Sequence, residues 1–433
     1  MKVAGVGLIL QILVIIMSLQ AVALDTLRMS RDQCEAVFLR ENLLMMAGKL
    51  EISQAEAMVL QARLWPNPYF SVEQVNFWAT DAQTGGAEAI PPISGNWGQN
   101  QQFAFELEQL ILTAGKRKKL IGLEEVNAEI SRQYFDDLLR NLKIEFRNQL
   151  TNLQHIQFRR SLYENQLRSI VQLASAYRRQ VDQGNVPKGQ YLRLKALELE
   201  TARQINQLNL EANEAQKDLK LLMRIPPETV LIISDEGFLR DTGQIRQFSP
   251  GELIDKAAES RPDLKIAQLE EGYYRQLHAY ERAQRTPNLT LKSGYDRGGN
   301  AMLNFVGFGI GVDLPVFNRN QGSIRQASIG IEHAGIMRLQ AALSVENEIV
   351  MAYRNLLDVA GFYESIEPDY EATLDQMLES YTANFTNRNI SLLEYLDFQE
   401  AYMDNKEIIL EAGRNVNERI EELNYLLGTD LLR

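Results

Sequence analysis

Cysteine is almost absent from this chain of 433 residues. Cys34 stands alone, so no intrachain disulfide and no cysteine-based zinc or iron–sulfur site can form. Histidine is nearly as scarce. His155, His278 and His333 lie far apart, at no metal-ligand spacing, and are expected to be packed or solvated residues rather than ligands. Positive charge is in deficit, with 45 Lys+Arg against 57 Asp+Glu and a formal net charge of -12. That excludes a general nucleic-acid binder, which needs a basic face for phosphates. After the N-terminus no segment has roughly 18 apolar residues in a row, so a mature chain in a membrane has to cross it as strands. Nor is there a nucleophile elbow, P-loop, HExxH or glycine-rich dinucleotide fingerprint, so no enzyme, cofactor or bound metal is expected.

What is present begins with Lys2, the apolar run Val3 to Met17, and Ala21-Val22-Ala23 as a small-x-small cleavage site. This pattern predicts a secretory signal peptide over residues 1–23. A membrane anchor is the competing reading, but the run is short for a span of about 20 residues and is interrupted by Gln11.

The chain is written twice. Arg40-Glu41-Asn42-Leu43 through Ala62 to Pro66-Asn67 aligns at an offset of 221 with Arg261-Pro262-Asp263-Leu264 through Ala283 to Pro287-Asn288. Tyr177, Asn185, Tyr191, Leu192 and Leu222 align at an offset of 204 with Tyr381, Asn389, Tyr395, Leu396 and Leu426. The predicted organisation is a first repeat over 24–224, a proline-bearing linker over 225–249 and a second repeat over 250–433.

Each repeat opens with a helix-period segment, about 31–64 and 250–285, stopped by Pro66 or Pro287. Alternating segments follow, giving strands at about 66–78 and 100–113 and again at about 287–297 and 302–316. Phe103, Phe105 and Leu107 share one face and Gln102, Ala104, Glu106 and Glu108 the other; Val306, Phe308, Ile310 and Val312 alternate with Phe305, Gly307, Gly309 and Gly311. Long helical hairpins come next, over 116–223 and 322–427, with one interruption at Pro368. The first helix alone, some 65 residues, reaches roughly 100 Å. Leu167, Ile170, Ala174, Tyr177 and Val181, and on the return helix Ile205, Leu208, Ala212, Ala215, Leu219 and Leu222, step by threes and fours as in a coiled coil. Asp182 to Pro187 and Asn384 to Asn389 are the turns.

The apolar strand faces have two explanations: a soluble sheet with Trp65, Trp78 and Trp97 in its core, or a barrel wall with apolar residues toward lipid, Trp78 and Trp97 at the outer interface, and glycine and polar residues toward the lumen. Four strands cannot close a barrel and open edges are not tolerated in lipid, so the second explanation requires oligomers.

In the order of its elements, in Pro66-Asn67-Pro68 and Pro287-Asn288 opening strands, in Ala114-Gly115-Lys116-Arg117 leading into the first long helix, and in its two turns, the mature chain resembles the TolC family of outer-membrane efflux channels. Leu314-Pro315-Val316-Phe317-Asn318-Arg319-Asn320-Gln321-Gly322 is most similar to the branch serving heavy-metal cation efflux systems of the resistance-nodulation-division type. The resemblance implies a mainly α fold with a transmembrane β-barrel part: a homotrimer with a twelve-stranded barrel in outer-membrane lipid and an α-helical periplasmic tunnel. It also implies docking to a periplasmic adaptor and an inner-membrane pump. Glu394 and Asp397, at i and i+3 on one helix face, fall on the family's acidic ring at the periplasmic entrance. Phe385 falls on its aromatic gate, and Gln190 is the first-repeat match of Glu394. Gly184, Asn185 and Val186, with Arg388, Asn389 and Ile390, fall on the adaptor-docking tips, Arg388 standing where glycine is usual. A solvated acidic face and ordinary turn chemistry are the plain alternatives. Rival functions are a periplasmic adaptor, which should have a single helical hairpin beside compact β-domains, and a pore-free coiled-coil scaffold, which leaves the glycine-faced strands unexplained.

Overall fold

The computed structural model describes residues 26–76, 102–234, 238, 242–243, 245–297 and 304–431. The signal-peptide segment 1–23, Trp78 and Trp97, and most of both loops between paired strands lie outside the described residues. Two compact units are present, one formed by Met1–Gly48, Asp137–Arg261 and Ser344–Arg433, the other by Lys49–Asp136 and Pro262–Leu343.

The second of these units holds a four-stranded sheet. Helix α2 (Leu43–Arg63) leads into β2 (Tyr69–Asn76), which pairs antiparallel with β3 (Gln102–Ile111). In the second repeat α6 (Pro262–Gln284) leads into β5 (Leu289–Arg297) and β6 (Phe305–Val312). The order is β2-β3-β5-β6. The two repeats therefore meet at β3 and β5, in register from Phe103 opposite Arg297 to Ile111 opposite Leu289. Beside the sheet, α6 packs against the start of α7 (Gln321–Glu364) so closely that a Cβ on Gly330 would overlap the Tyr274 ring. Only glycine permits that approach.

The other unit is helical apart from β1 (Thr26–Met29), which pairs in parallel with β4 (Val230–Ile233). The α1 helix (Arg31–Glu41) starts with a Ser30–Gln33 capping box and buries Cys34 and Phe38. Phe38 stacks on Phe146 with centroids 4.3 Å apart, and burial pushes the Cys34 thiol up to about 12 although Arg31 opposes it. Helix α3 (Lys116–Asp182) runs 67 residues without a break and returns as α4 (Lys188–Met223). Leu208, Ala212, Ala215, Leu219 and Leu222 of α4 are buried at the coiled-coil spacing. The second hairpin continues α7 through α8 (Tyr370–Thr386) and returns as α9 (Leu392–Leu427). The helix interrupts between Glu364 and Tyr370, around Pro368, because proline lacks the N–H that the ladder needs. Lys406 on α9, 8 % exposed, is held by Glu371 at 2.8 Å and Asp375 at 2.9 Å. Arg147 binds Glu35 and Asp430 at 2.7 Å and Glu421 at 3.1 Å, and so ties the C-terminal segment to both α1 and α9.

Two features differ from the sequence reading. The segment read as one helix over 31–64 is broken at Asn42, with ψ of 120°. Its amide donates to the carbonyl of Leu222 and its side-chain oxygen accepts from the N–H of Met45, so the break is a built corner. The linker contains β4 and a short 3₁₀ turn (Ile245–Gln247), and α5 (Pro250–Ser260) follows behind a Ser249–Glu252 capping box.

Candidate functional site

Two places bring the sequence-predicted residues together, the sheet in one unit and the hairpin turns in the other. The pairing registers place Phe105 beside Tyr295 and Val72, and Leu107 beside Ser293 and Phe70, on one side of the sheet. That side is open: Phe70 is 60 % exposed, Phe308 85 % and Ile310 69 %. The opposite side carries Gly307, Gly309 and Gly311 of β6, and there Lys292 pairs with Glu106 at 3.1 Å and with Glu108. An apolar face left open and a polar, glycine-lined face with an internal ion pair is the reverse of a soluble sheet, which buries its apolar side. Trp65, a core candidate in the soluble reading, is 59 % exposed, with the Arg117 guanidinium 4.1 Å from its ring centroid. No helix among the described residues is long and apolar enough to cross a membrane.

The two turns repeat one another atom for atom at the offset of 204. In the first, the N–H of Asn185 donates to the carbonyl of Gln180 at 2.8 Å and that of Gly184 to Val181 at 2.9 Å; in the second, Asn389 donates to Asn384 at 2.8 Å and Arg388 to Phe385 at 3.0 Å. Gly184 has φ of 77° and Arg388 φ of 62°, so a long side chain occupies a left-handed position that suits glycine. Arg388 also reaches Gln180 of the other turn at 3.3 Å. Val186 and Ile390 are half-buried, and Ile390 packs against the cluster below.

That cluster consists of Ala174, Leu194, Phe385, Leu392 and Tyr395, flanked by Leu173, Tyr177, Tyr381 and Leu396. Phe385 is 5 % exposed, with Tyr177 stacked at 5.6 Å and Tyr395 at 4.8 Å. The residue expected as an aromatic gate is thus the ring that fastens one turn to the other, and it lines no open surface of the protomer. Glu394 and Asp397 are both exposed on the same stretch of α9, while Gln190 is half-buried. Glu394 has a partner that the sequence reading missed. Its carboxylate accepts from the N–H of Ser391 at 2.7 Å and its own N–H donates to the Ser391 hydroxyl, a complete capping box. The Ser391 backbone and hydroxyl hydrogen bonds hold its carboxyl below the usual range. The signal was legible as Ser391-Leu392-Leu393-Glu394; the first turn offers Pro187 and no side-chain cap. Among the described residues no group of three or more His, Cys, Asp or Glu side chains could hold a metal ion.

No protein-family model matches the chain. A 148-residue stretch is 26% identical to the cobalt-zinc-cadmium resistance protein CzcC of Cupriavidus metallidurans, covering 34% of this chain and 35% of that protein, so the chain matches about a third of the relative's length. Over nearly its whole length the chain is similar in structure to solved outer-membrane channels. CusC superposes with a TM-score of 0.70 at 18% identity, covering 92% of each chain. The CmeC outer membrane channel of Campylobacter jejuni superposes with a TM-score of 0.72 at 14% identity, covering 92% of this chain and 85% of that one. The chain thus carries the fold that the TolC resemblance implied, that of solved outer-membrane channels.

Proposed function

We propose that three copies of this chain form an outer-membrane duct, each adding β2-β3-β5-β6 to a closed twelve-stranded barrel while the helical hairpins line a periplasmic passage. The observation that carries this is the inverted sheet, apolar on its open face and glycine-lined with the Lys292–Glu106–Glu108 group on the other, ending in two strand edges, β2 and β6, that a lipid bilayer does not tolerate unpaired. Exposed Leu50, Leu60, Ile336, Leu339 and Leu343 on α2 and α7 supply apolar surface for neighbouring copies.

The duct is passive and contains no energy source, so an inner-membrane pump, of the resistance-nodulation-division type, and a periplasmic adaptor deliver its cargo. The two turns, through Gly184, Asn185 and Val186 and through Arg388, Asn389 and Ile390, dock the adaptor. Exposed Glu394 and Asp397 from three copies ring the periplasmic entrance and favour cations. Heavy-metal cations are the cargo class that the likeness to the cobalt-zinc-cadmium resistance protein CzcC supports.

Cell fractionation followed by the mass of the solubilised particle, corrected for detergent, tests the reading. A trimer from the outer membrane is expected. A soluble monomer, or a particle held in the inner membrane, overturns it.

A further inference from the structure

Each repeat has a cleft between the helix that leads into its strands and the long helix that leaves them. In the first repeat Glu56, Arg63, Glu125 and Arg132 line it, and every cation there has an acid: Arg63 binds Glu125 at 3.1 Å, and Arg132 binds Glu56 at 2.8 Å and Glu129 at 2.7 Å. In the second repeat the cleft is about 480 Å³ and is lined by His278, Arg285, Arg319, Gln321, Arg325 and Ser328. None of its three arginines forms an ion pair among the described residues. One acid of the first cleft has no counterpart here, since Glu56 aligns with Leu277. The nearby carboxylate of Glu281 is engaged by the Asn320 side-chain amide, whose residue turns the chain with φ of 57° into α7. Gln321 is the first residue of that 44-residue helix, so the first-turn N–H groups, which have no intrahelical acceptor, border the same space.

In a chain of net charge -12, three arginines that line one cleft and form no ion pair among the described residues mark a site for a ligand that brings its own negative charge. The surface beside it indicates what else that ligand carries. Leu314 is 75 % exposed, Val316 57 % and Phe317 94 %, in the segment that follows β6 and leads to Arg319. At the same end of the sheet, before β2, Trp65 is exposed with Arg117 over its ring, the amphipathic pairing found where protein passes from hydrocarbon to headgroups. Cation beside exposed apolar surface is the complement of an amphiphile.

We propose that the cleft lined by Arg285, Arg319 and Arg325 binds the phosphate headgroup of an anionic phospholipid in the leaflet that meets this end of the sheet. Its acyl chains lie against Leu314, Val316 and Phe317. The proposal rests on the membrane reading above, and predicts an asymmetry between the repeats: one lipid site per protomer, in the second cleft and not the first.

Native mass spectrometry of the detergent-solubilised particle tests it, with phosphatidylglycerol, phosphatidylethanolamine and inorganic phosphate as separate probes. The wild type should retain phosphatidylglycerol at least tenfold better than phosphatidylethanolamine. Arg285→Gln combined with Arg319→Gln and Arg325→Gln should erase that preference, as should Arg325→Gln in part by itself, and Arg63→Gln with Arg132→Gln should leave it intact. The same spectra report assembly, so a variant that fails to form the wild-type particle is replaced by the single substitution. Equal retention in wild type and variant overturns the proposal, and so does displacement of phosphatidylglycerol by inorganic phosphate at equal concentration, which marks a free-anion site. A trimer with no lipid preference sinks the site and spares the duct; a particle that is no membrane trimer sinks the duct first.

Discussion

The two hairpin turns share a backbone and differ in chemistry. Hydrogen bonds at Asn185 and Asn389 have the same length and partners at the same offset, and both turns contain one left-handed residue. Yet the first uses glycine, proline and glutamine at Gly184, Pro187 and Gln190, where the second uses Arg388, Ser391 and Glu394. The first turn is conformationally relaxed and uncapped. The second is strained at Arg388, capped at Ser391 and carries the aromatic that joins the two. The backbone frame is common to both copies, and the side-chain cap and the anchoring ring belong to the second.

The largest expected consequence lies at the aligned pair Val181 and Phe385. Phe385→Ala removes a ring packed between Tyr177 and Tyr395 and should cost about 3–5 kcal/mol. Val181→Ala, from a half-buried site, should cost less than about 1.5 kcal/mol. Urea unfolding of the solubilised protein, with protease cleavage at both turns, measures the pair. Equal costs would mean that the second turn does not anchor the first.

Next in size is the cap. Ser391→Ala should destabilise the start of α9 by about 1 kcal/mol, whereas Pro187→Ala removes no side-chain cap and should cost only about 0.5 kcal/mol through the freer unfolded chain. Acid should discriminate the turns in the same sense. The folded carboxyl of Glu394 is held below its ordinary value, so its contribution is present above the unfolded value near 4.5 and is lost as pH falls through the folded one. The first turn has Gln190 there and no such dependence. Hydrogen exchange at the two turns between pH 6 and pH 3.5, corrected for the intrinsic rate, should show the second loosening selectively; parallel behaviour would remove the capping box as its cause.

Much of this was legible in the sequence where period and punctuation agree. The strands showed themselves through alternation, as where Val306 to Val312 alternates strictly with glycine, and the interruption of the second hairpin because Pro368 stands inside a helical pattern. The corner at Asn42 was hidden because asparagine there is read as one polar residue in a helix; its oxygen caps the next helix by accepting from the N–H of Met45, and its amide is tied to the carbonyl of Leu222, 180 residues away. Burial of Phe385 was hidden because its ring partners are Tyr177, in the other hairpin, and Tyr395, across its own turn. Arg319 and its neighbours appear in sequence as part of a strand-to-helix turn. Only the fold shows that three arginines share a cleft while Arg63 and Arg132 are matched by acids.

Backbone strain gives a smaller effect. Arg388 at φ of 62° occupies a region that costs a residue with a Cβ roughly 1–2 kcal/mol. Arg388→Gly should therefore stabilise, by up to about 1 kcal/mol once greater freedom of the unfolded chain and loss of the contact to Gln180 are subtracted. Gly184→Ala should destabilise by a similar amount. If Arg388→Gly destabilises instead, the arginine's reach to Gln180 outweighs its strain, and the cross-turn contact belongs to the structure of both turns.

The smallest expected change in stability is the most informative about function. Glu394 holds a capping position and, in the proposed trimer, a place in an acidic ring, so a lost phenotype in Glu394→Ala would not distinguish the two. Glu394→Gln does, because glutamine at N3 completes a capping box while carrying no charge. Stability should stay within about 0.5 kcal/mol of wild type. Combined with Asp397→Asn, whose side chain is exposed, it should lower cation over anion selectivity and cation block in planar bilayers. Selectivity unchanged with stability unchanged would leave Glu394 as a cap alone. Selectivity reduced with stability unchanged would separate the ring from the fold, and the second turn would then differ from the first in charge as well as in anchorage.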